Sequence, residues 1–167
     1  DVLEREGSIQ ALEDLKREGK VRFIGSSSIL PNFADHIAMG VFDVFQVPYS
    51  ALQPEHEEAI AEAARAGAGI VVRGGVARGE PGEGQGTDRV WDLWRKANLD
   101  ELLDDESPTE FMLRFTIASP DMHTTIVGTL SSRHLQENVA AALKGPLPPS
   151  IYREAGRRLA AARSVPS

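Results

Sequence analysis

Residues 124–139, TTIVGTLSSRHLQENV, decide how the chain is read. Thr124, Thr125, Ile126 and Val127 make a continuous β-branched run, the pattern of a short parallel strand buried on both faces. Gly128 and Thr129 form the turn, and a helix is entered at Ser131 or Ser132. Helix N-termini carry unpaired N–H groups and the positive end of the dipole, so such a junction can receive a phosphate. Arg133, His134, Glu137 and Asn138 lie within two turns of that end. A lone junction of this kind is ordinary α/β structure, and its meaning depends on what precedes it.

What precedes it repeats the same grammar. Ser8 is read as a helix cap followed by Ile9, Leu12 and Leu15 at helical spacing, with Gly19 as the stop. Residues 20–25 (KVRFIG) form the first expected strand and open onto Ser26, Ser27 and Ser28. Pro31 and Asn32 begin a short helix that Gly40 closes. Residues 42–47 (FDVFQV) form the second strand, followed by Pro48, Tyr49 and Ser50. Pro54 and the acids Glu55, Glu57 and Glu58 suit the start of a helix running to about Ala66. Residues 70–73 (IVVR) form the third strand and lead into Gly74 and Gly75.

Residues 77–86 (ARGEPGEGQG) hold too much glycine and proline for regular structure and read as a mobile loop. Thr87 and Asp88 cap a helix whose Trp91 and Trp94 are read as core packing. Residues 100–106 are an acidic linker, expected to be solvated. Ser107, Pro108 and Glu110 make a capping box with proline at the first helical position, which places a helix over 108–118. After the stretch that opens this section, Gly145 and three prolines precede a last helix over 150–162. Four strands alternating with helices predict parallel pairing through right-handed crossovers. That leaves an open doubly wound sheet or part of a (β/α)8 barrel; a whole barrel takes about 250 residues.

Composition narrows the partners. The 167 residues carry a net charge of −7, which disfavours nucleic acid and anionic membrane surfaces. No apolar run is long enough to span a bilayer, and no signal-peptide pattern opens the sequence. The absence of cysteine removes disulfides, thiol nucleophiles and thiolate metal sites, and it fits a cytoplasmic protein. The sequence starts at Asp1, inside an expected helix, and reads as a piece of something longer. His36, His56, His123 and His134 are scattered without metal-ligand spacing. His36 and His56 are expected on helix surfaces, and His123 as a satisfied turn residue. Each strand ends in useful polar chemistry: Ser27 and Ser28, Gln46, Arg73 with Gly74, and Gly128 with Thr129. In parallel α/β folds those ends converge on the ligand face.

Several stretches together resemble the C-terminal half of an aldo/keto reductase: LKREGKVRFIGSSS, FDVFQVPYSAL, GIVVRGGVARG, PTEFMLRFTIASPDMHTTIVGT and SSRHLQENV. They stand in the family's order and cover nearly the whole chain. The resemblance implies an α/β fold, the C-terminal half of a (β/α)8 TIM barrel, within a family that reduces aldehydes and ketones by hydride transfer from NADPH. Carried over residue by residue, Ser27 and Ser28 match the Ser-Asn pair that holds the nicotinamide carboxamide, with Ser28 departing from Asn. Gln46 matches the carboxamide-binding glutamine. Arg73 stands where many members stack a tyrosine on the nicotinamide, and a guanidinium plane can also stack or meet a phosphate. Ala77, Arg78 and Gly79 fall in the loop that straps the pyrophosphate. Gly128 and Thr129 align with the adenosine-phosphate turn. His134 takes the place of a frequent arginine on the 2′-phosphate, and Glu137 with Asn138 match the adenine-contacting pair. Because a neutral histidine is a poorer phosphate partner than arginine, NADPH is favoured over NADH mainly through neighbouring Arg133.

The family's catalytic Asp, Tyr, Lys and His belong to the other half of its barrel. Tyr49 and Tyr152 do not fit the tyrosine motif, and Lys16, Lys20, Lys96 and Lys144 fall on or beside helices, so no catalytic residue is assigned. The expected partners are a nicotinamide nucleotide and, in a complete enzyme, a small carbonyl substrate. Two other readings stand beside this one. The chain is alternatively a non-catalytic half-barrel that self-associates or assembles through its open edges. A third reading is an independent open-sheet nucleotide-binding domain.

Overall fold

A computed structural model describes residues 7–164; the expected helical start over residues 1–6 lies outside them. Four strands form one parallel sheet in the order of the chain: β1 (Gly25–Ser27), β2 (Val44–Pro48), β3 (Gly69–Arg73) and β4 (Thr124–Ile126). The helices are α1 (Ser8–Arg17), α2 (Asn32–Met39), α3 (Glu57–Arg65), α4 (Asp88–Lys96), α5 (Pro108–Ile117), α6 (Ser132–Lys144) and α7 (Pro149–Arg163). Ser107 Oγ accepts from the Glu110 N–H at 3.2 Å, so the cap read from the sequence is made.

The sheet is buried on one face. Along β2, Phe45 and Val47 are buried while Val44, Gln46 and Pro48 are partly exposed, and β3 alternates likewise between Ile70 with Val72 and Gly69, Val71 with Arg73. The buried set packs under Phe33 of α2 and Ile60 and Ala63 of α3. A second cluster joins Trp91, Trp94, Phe111, Phe115 and Leu159 of α4, α5 and α7, with the Trp pair in the core as read. The expectation that strands are covered on both faces fails here. Thr124 is exposed and Ile126 is 47% exposed, because the described helices pack against only one side of this four-stranded sheet.

Other expectations shift with the pairing. The first strand lies at Gly25–Ser27 and not at 20–25, since the register sets Gly25 opposite Val44, the first residue of β2. The residue before it, Ile24, is held by the turn instead: its N–H donates to Asp43 Oδ2 at 2.9 Å and its carbonyl accepts from the Asp43 N–H at 2.8 Å. Ser8 is the first helical residue of α1, and Gly7 occupies the cap with a positive φ of 67°.

Residues 77–86 fold into successive turns, with Gly84 N–H donating to the Glu80 carbonyl and Gln85 N–H to that of Arg78. The acidic segment is not a plain solvated linker. It contains a 3₁₀ turn (Leu99–Leu102) anchored by fully buried Leu99, and Asp100 accepts from Trp94 Nε1 at 2.9 Å. Glu106, at its end, pairs with Arg114, and both side chains are largely buried.

Candidate functional site

The uncovered face of the sheet is written by the register. Ser27 pairs with Gln46, Gln46 with Val71, and Val71 with Thr124, which makes one row; Pro48, Arg73 and Ile126 make the next. Paired residues of neighbouring strands point to the same side, so Ser27, Gln46 and Arg73 share the uncovered face. Gln46 Nε2 donates to Ser27 Oγ at 3.2 Å, and the Ser28 N–H donates to the Gln46 carbonyl at 3.3 Å. Ser28 Oγ is buried without a hydrogen-bond partner. A buried hydroxyl left unpaired is costly, so Ser28 is a ready donor or acceptor for something placed against it.

Beyond β3 the backbone turns sharply. Gly74 has φ 73°, and Ala77, Arg78 and Gly79 follow with φ of 46°, 66° and 79°. Two successive non-glycine residues at positive φ are costly and persist only where surroundings hold them. Buried Ala77 anchors the bend in the tryptophan cluster. Gly75 is where the bend touches α5: a Cβ there would lie 3.1 Å from both Thr116 Cγ2 and Thr125 Oγ1. Thr116 Oγ1 donates to the Gly75 carbonyl at 2.9 Å.

At the other edge, β4 runs through Gly128 and Thr129 to the capped start of α6. Thr129 Oγ1 accepts from the Ser131 N–H at 3.1 Å, and Ser131 Oγ accepts from the His134 N–H at 3.3 Å. Arg133 donates to Glu137 Oε1 and, through Nη2, lies 3.0 Å from His134 Nε2. Since arginine only donates, His134 Nε2 is the acceptor in this contact. Arg133 also reaches Glu83 at 3.5 Å, tying the 77–86 turns to the first turn of α6. The sequence did not suggest Glu83. Glu137 is thus already paired, while Asn138 is half-buried on the same turn.

Two histidines depart from expectation. His36 is buried, its Nδ1 2.8 Å from Ser26 Oγ. His56 is not a surface helical residue but the cap position of α3, half-buried, with Nε2 accepting from the Leu30 N–H at 3.2 Å. Burial, and then the positive charge of Arg73, push its pKa below the ordinary histidine value, with Glu55 pulling the other way. His123 accepts from the Ile70 N–H at 3.0 Å, a satisfied turn residue as read. Neither tyrosine faces the uncovered side with a free hydroxyl. Tyr49 is 3% exposed and donates to Glu57 Oε1, and burial with the Glu57 charge pushes its pKa up; Tyr152 stacks on Phe115 and shifts the same way for the same causes. Among the described residues no cluster of three His, Asp or Glu could hold a metal, and no helix is long and apolar enough to cross a membrane.

The aldo/keto reductase family profile matches residues 3–155. The chain belongs to the aldo/keto reductase family. It is similar to the uncharacterized oxidoreductase YqkF of Bacillus subtilis (strain 168), 28% identical over 151 residues, 81% of this chain and 49% of that protein. It is also similar to the aldo-keto reductase AKR11C1 from Bacillus halodurans. The holo form superposes with a TM-score of 0.74 at 28% identity over 90% of this chain and 54% of that one. The apo form gives 0.77, over 92% and 56%. The thermostable aldo-keto reductase Tm1743, 17% identical with a TM-score of 0.68, adds likeness of fold alone. This aldo/keto reductase chain therefore spans about half the length of the relatives it matches, and its four strand–helix units are half of a (β/α)8 barrel.

Proposed function

We propose that the chain is the cofactor-binding half of an NADP(H)-dependent aldo/keto reductase, working in the cytoplasm. The observation that carries this is the Gln46–Ser27 hydrogen bond on the uncovered strand-end face, beside Ser28 with its unpaired hydroxyl. An amide and two hydroxyls suit a carboxamide, whose carbonyl and NH₂ need both kinds of partner. On this reading Arg73 lies over the nicotinamide or a phosphate, and Ala77, Arg78 and Gly79 line the pyrophosphate. Gly128, Thr129, His134, Glu137 and Asn138 take the adenosine end, where Arg133 adds positive charge for a 2′-phosphate. The bound nucleotide supplies hydride chemistry; this chain's residues bind and orient it.

The proton donor for a carbonyl substrate lies outside this reading of the chain. Hydride transfer needs an acid for the developing alkoxide, and Tyr49, held in the core on Glu57, is unsuited to that role. Titration calorimetry with NADP⁺ tests the proposal. Binding by the 167-residue chain, without carbonyl reduction when NADPH and a small aldehyde are supplied, is the expected result. No binding at millimolar nucleotide, or turnover by a mass-verified chain, overturns it.

A second reading, a non-catalytic assembly module, is favoured by one feature: Leu135, Val139 and Leu143 of α6 are exposed at helical spacing, on the helix that follows β4, the outermost of the described strands. Concentration-dependent association without nucleotide binding is its signature.

A further inference from the structure

We propose that His56 is a positioning residue for the nicotinamide end of the cleft, holding the segment that follows Ser27 at the end of β1 and begins with Ser28. The inference rests on the nucleotide reading above but names a residue that reading does not use. His56 reaches backwards along the chain: its Nε2 accepts from the Leu30 N–H, two residues beyond Ser28. The other backbone ties of the 28–31 segment are local ones to α2: the Ile29 carbonyl accepts from the Phe33 N–H at 2.9 Å and that of Pro31 from the Ala34 N–H at 3.0 Å. Ile29 and Leu30 are 52% and 38% exposed, and the Ser28 N–H bond to the Gln46 carbonyl is its tie to the sheet. The ring sits over Phe33 with centroids 6.4 Å apart, so α2, the start of α3 and the strand end are gathered at one imidazole.

The bond specifies the state of the ring. Accepting at Nε2 requires that nitrogen to be unprotonated, so the neutral ring keeps its proton on Nδ1, which is buried and unpartnered. Adding a second proton would set N–H against N–H at Leu30 and release the segment. The charged groups acting on the ring are Arg73 at the end of β3 and Glu55 in its own turn. Burial, and to a lesser extent Arg73, disfavour the second proton, Glu55 favours it, and the net direction keeps the ring neutral at neutral pH. His56 thus couples acidity to the placement of Ser27 and Ser28 without touching the nucleotide.

The test compares the wild type, His56→Ala, His56→Gln and Gln46→Ala for NADP⁺ affinity by calorimetry at pH 7.5 and 5, with amide exchange read at Leu30. His56→Ala is expected to weaken binding at pH 7.5 by up to roughly tenfold, the scale of one hydrogen bond, and to speed exchange at Leu30. His56→Gln, whose side-chain oxygen can accept from Leu30, should recover much of the loss. Wild-type affinity should fall further at pH 5 than that of His56→Gln. If Gln46→Ala weakens binding while His56→Ala matches the wild type in affinity and exchange, the inference is wrong and the nucleotide site stands. If no variant alters affinity, the site reading fails and takes the inference with it.

Discussion

Gln46 and Ser27, on neighbouring strands, are joined by a 3.2 Å hydrogen bond on the side of the sheet that none of the described helices covers. Removing the amide in Gln46→Ala should weaken NADP⁺ binding by up to roughly tenfold, the worth of about 0.5–1.5 kcal/mol for one net hydrogen bond. Asn138→Ala should act in the same direction. Lys96→Ala, on an outer helix where the side chain pairs with Asp92, should change nothing. Equal affinities across all three, measured by calorimetry, would refute the assignment.

Asp43 fastens α1 to the edge of the sheet, accepting from Lys16 Nζ at 2.7 Å and from the Ile24 N–H. The Lys16 hydrogen bond, then that of Ile24, hold its carboxyl below the ordinary value. A carboxyl depressed in the fold contributes stability that is complete above the unfolded pKa of about 3.9 and lost as pH falls through the folded value. Asp43→Asn should therefore lower the urea midpoint at pH 6, and the gap to wild type should close as pH drops below about 4. A gap that is constant from pH 6 to pH 2 would disprove the linkage.

Arg114 gathers the α6–α7 connection, donating to the Gly145 carbonyl at 2.9 Å and that of Pro146 at 3.2 Å while pairing with Glu106. With the two side chains only 11% and 14% exposed, Arg114→Ala strands a carboxylate and should cost about 3–5 kcal/mol in denaturant unfolding. The double variant Arg114→Met with Glu106→Leu should recover part of that loss, since no charge is then left buried. A double variant no better than Arg114→Ala would place the cost in the lost carbonyl contacts.

Gly75→Ala should destabilise by about 1–3 kcal/mol through overpacking against Thr116 and Thr125. Thr116→Ser, which removes the crowding methyl and keeps the hydroxyl, should relieve it in part. Thermal unfolding of Gly75→Ala, Thr116→Ser and the double variant decides this, and an unchanged midpoint for Gly75→Ala would show that the bend yields.

Exposed Leu143→Glu should leave unfolding within about 0.5 kcal/mol of wild type, as for surface positions generally. If α6 is an association surface, the same change should shift sedimentation towards the monomer. Sedimentation identical to wild type at high concentration would remove α6 from any interface.

The sequence made the parallel order of strands legible because glycine stops, proline starts and apolar runs agree at each unit; Ser107 capped its helix as its spacing required. Boundaries slipped where pairing overrode propensity: 20–24 is β-rich, yet the register begins at Gly25. One-sided burial was hidden because Thr124 and Ile126 carry the same β-branched pattern whether or not a second layer is present. That Ser27 and Gln46 share a face followed from strand ends converging on one side; the hydrogen bond between them was not legible. Nor was that of His56, since its partner is a backbone N–H 26 residues away and leaves no mark in composition.

The strand order β1-β2-β3-β4 also bears on how the chain is made. Each new strand meets a partner already synthesised, so the sheet can be laid down by accretion as the polypeptide leaves the ribosome at about 5–20 residues per second. The first addition closes a separation of 19 residues and the last one of 53. Loop closure grows so slowly with length that this difference adds under about 1 kcal/mol. What sets β4 apart is waiting time: the whole turn-rich segment and α4 and α5 must emerge before its threonines can dock, and until then the outer edge of β3 is the open front available to chaperones.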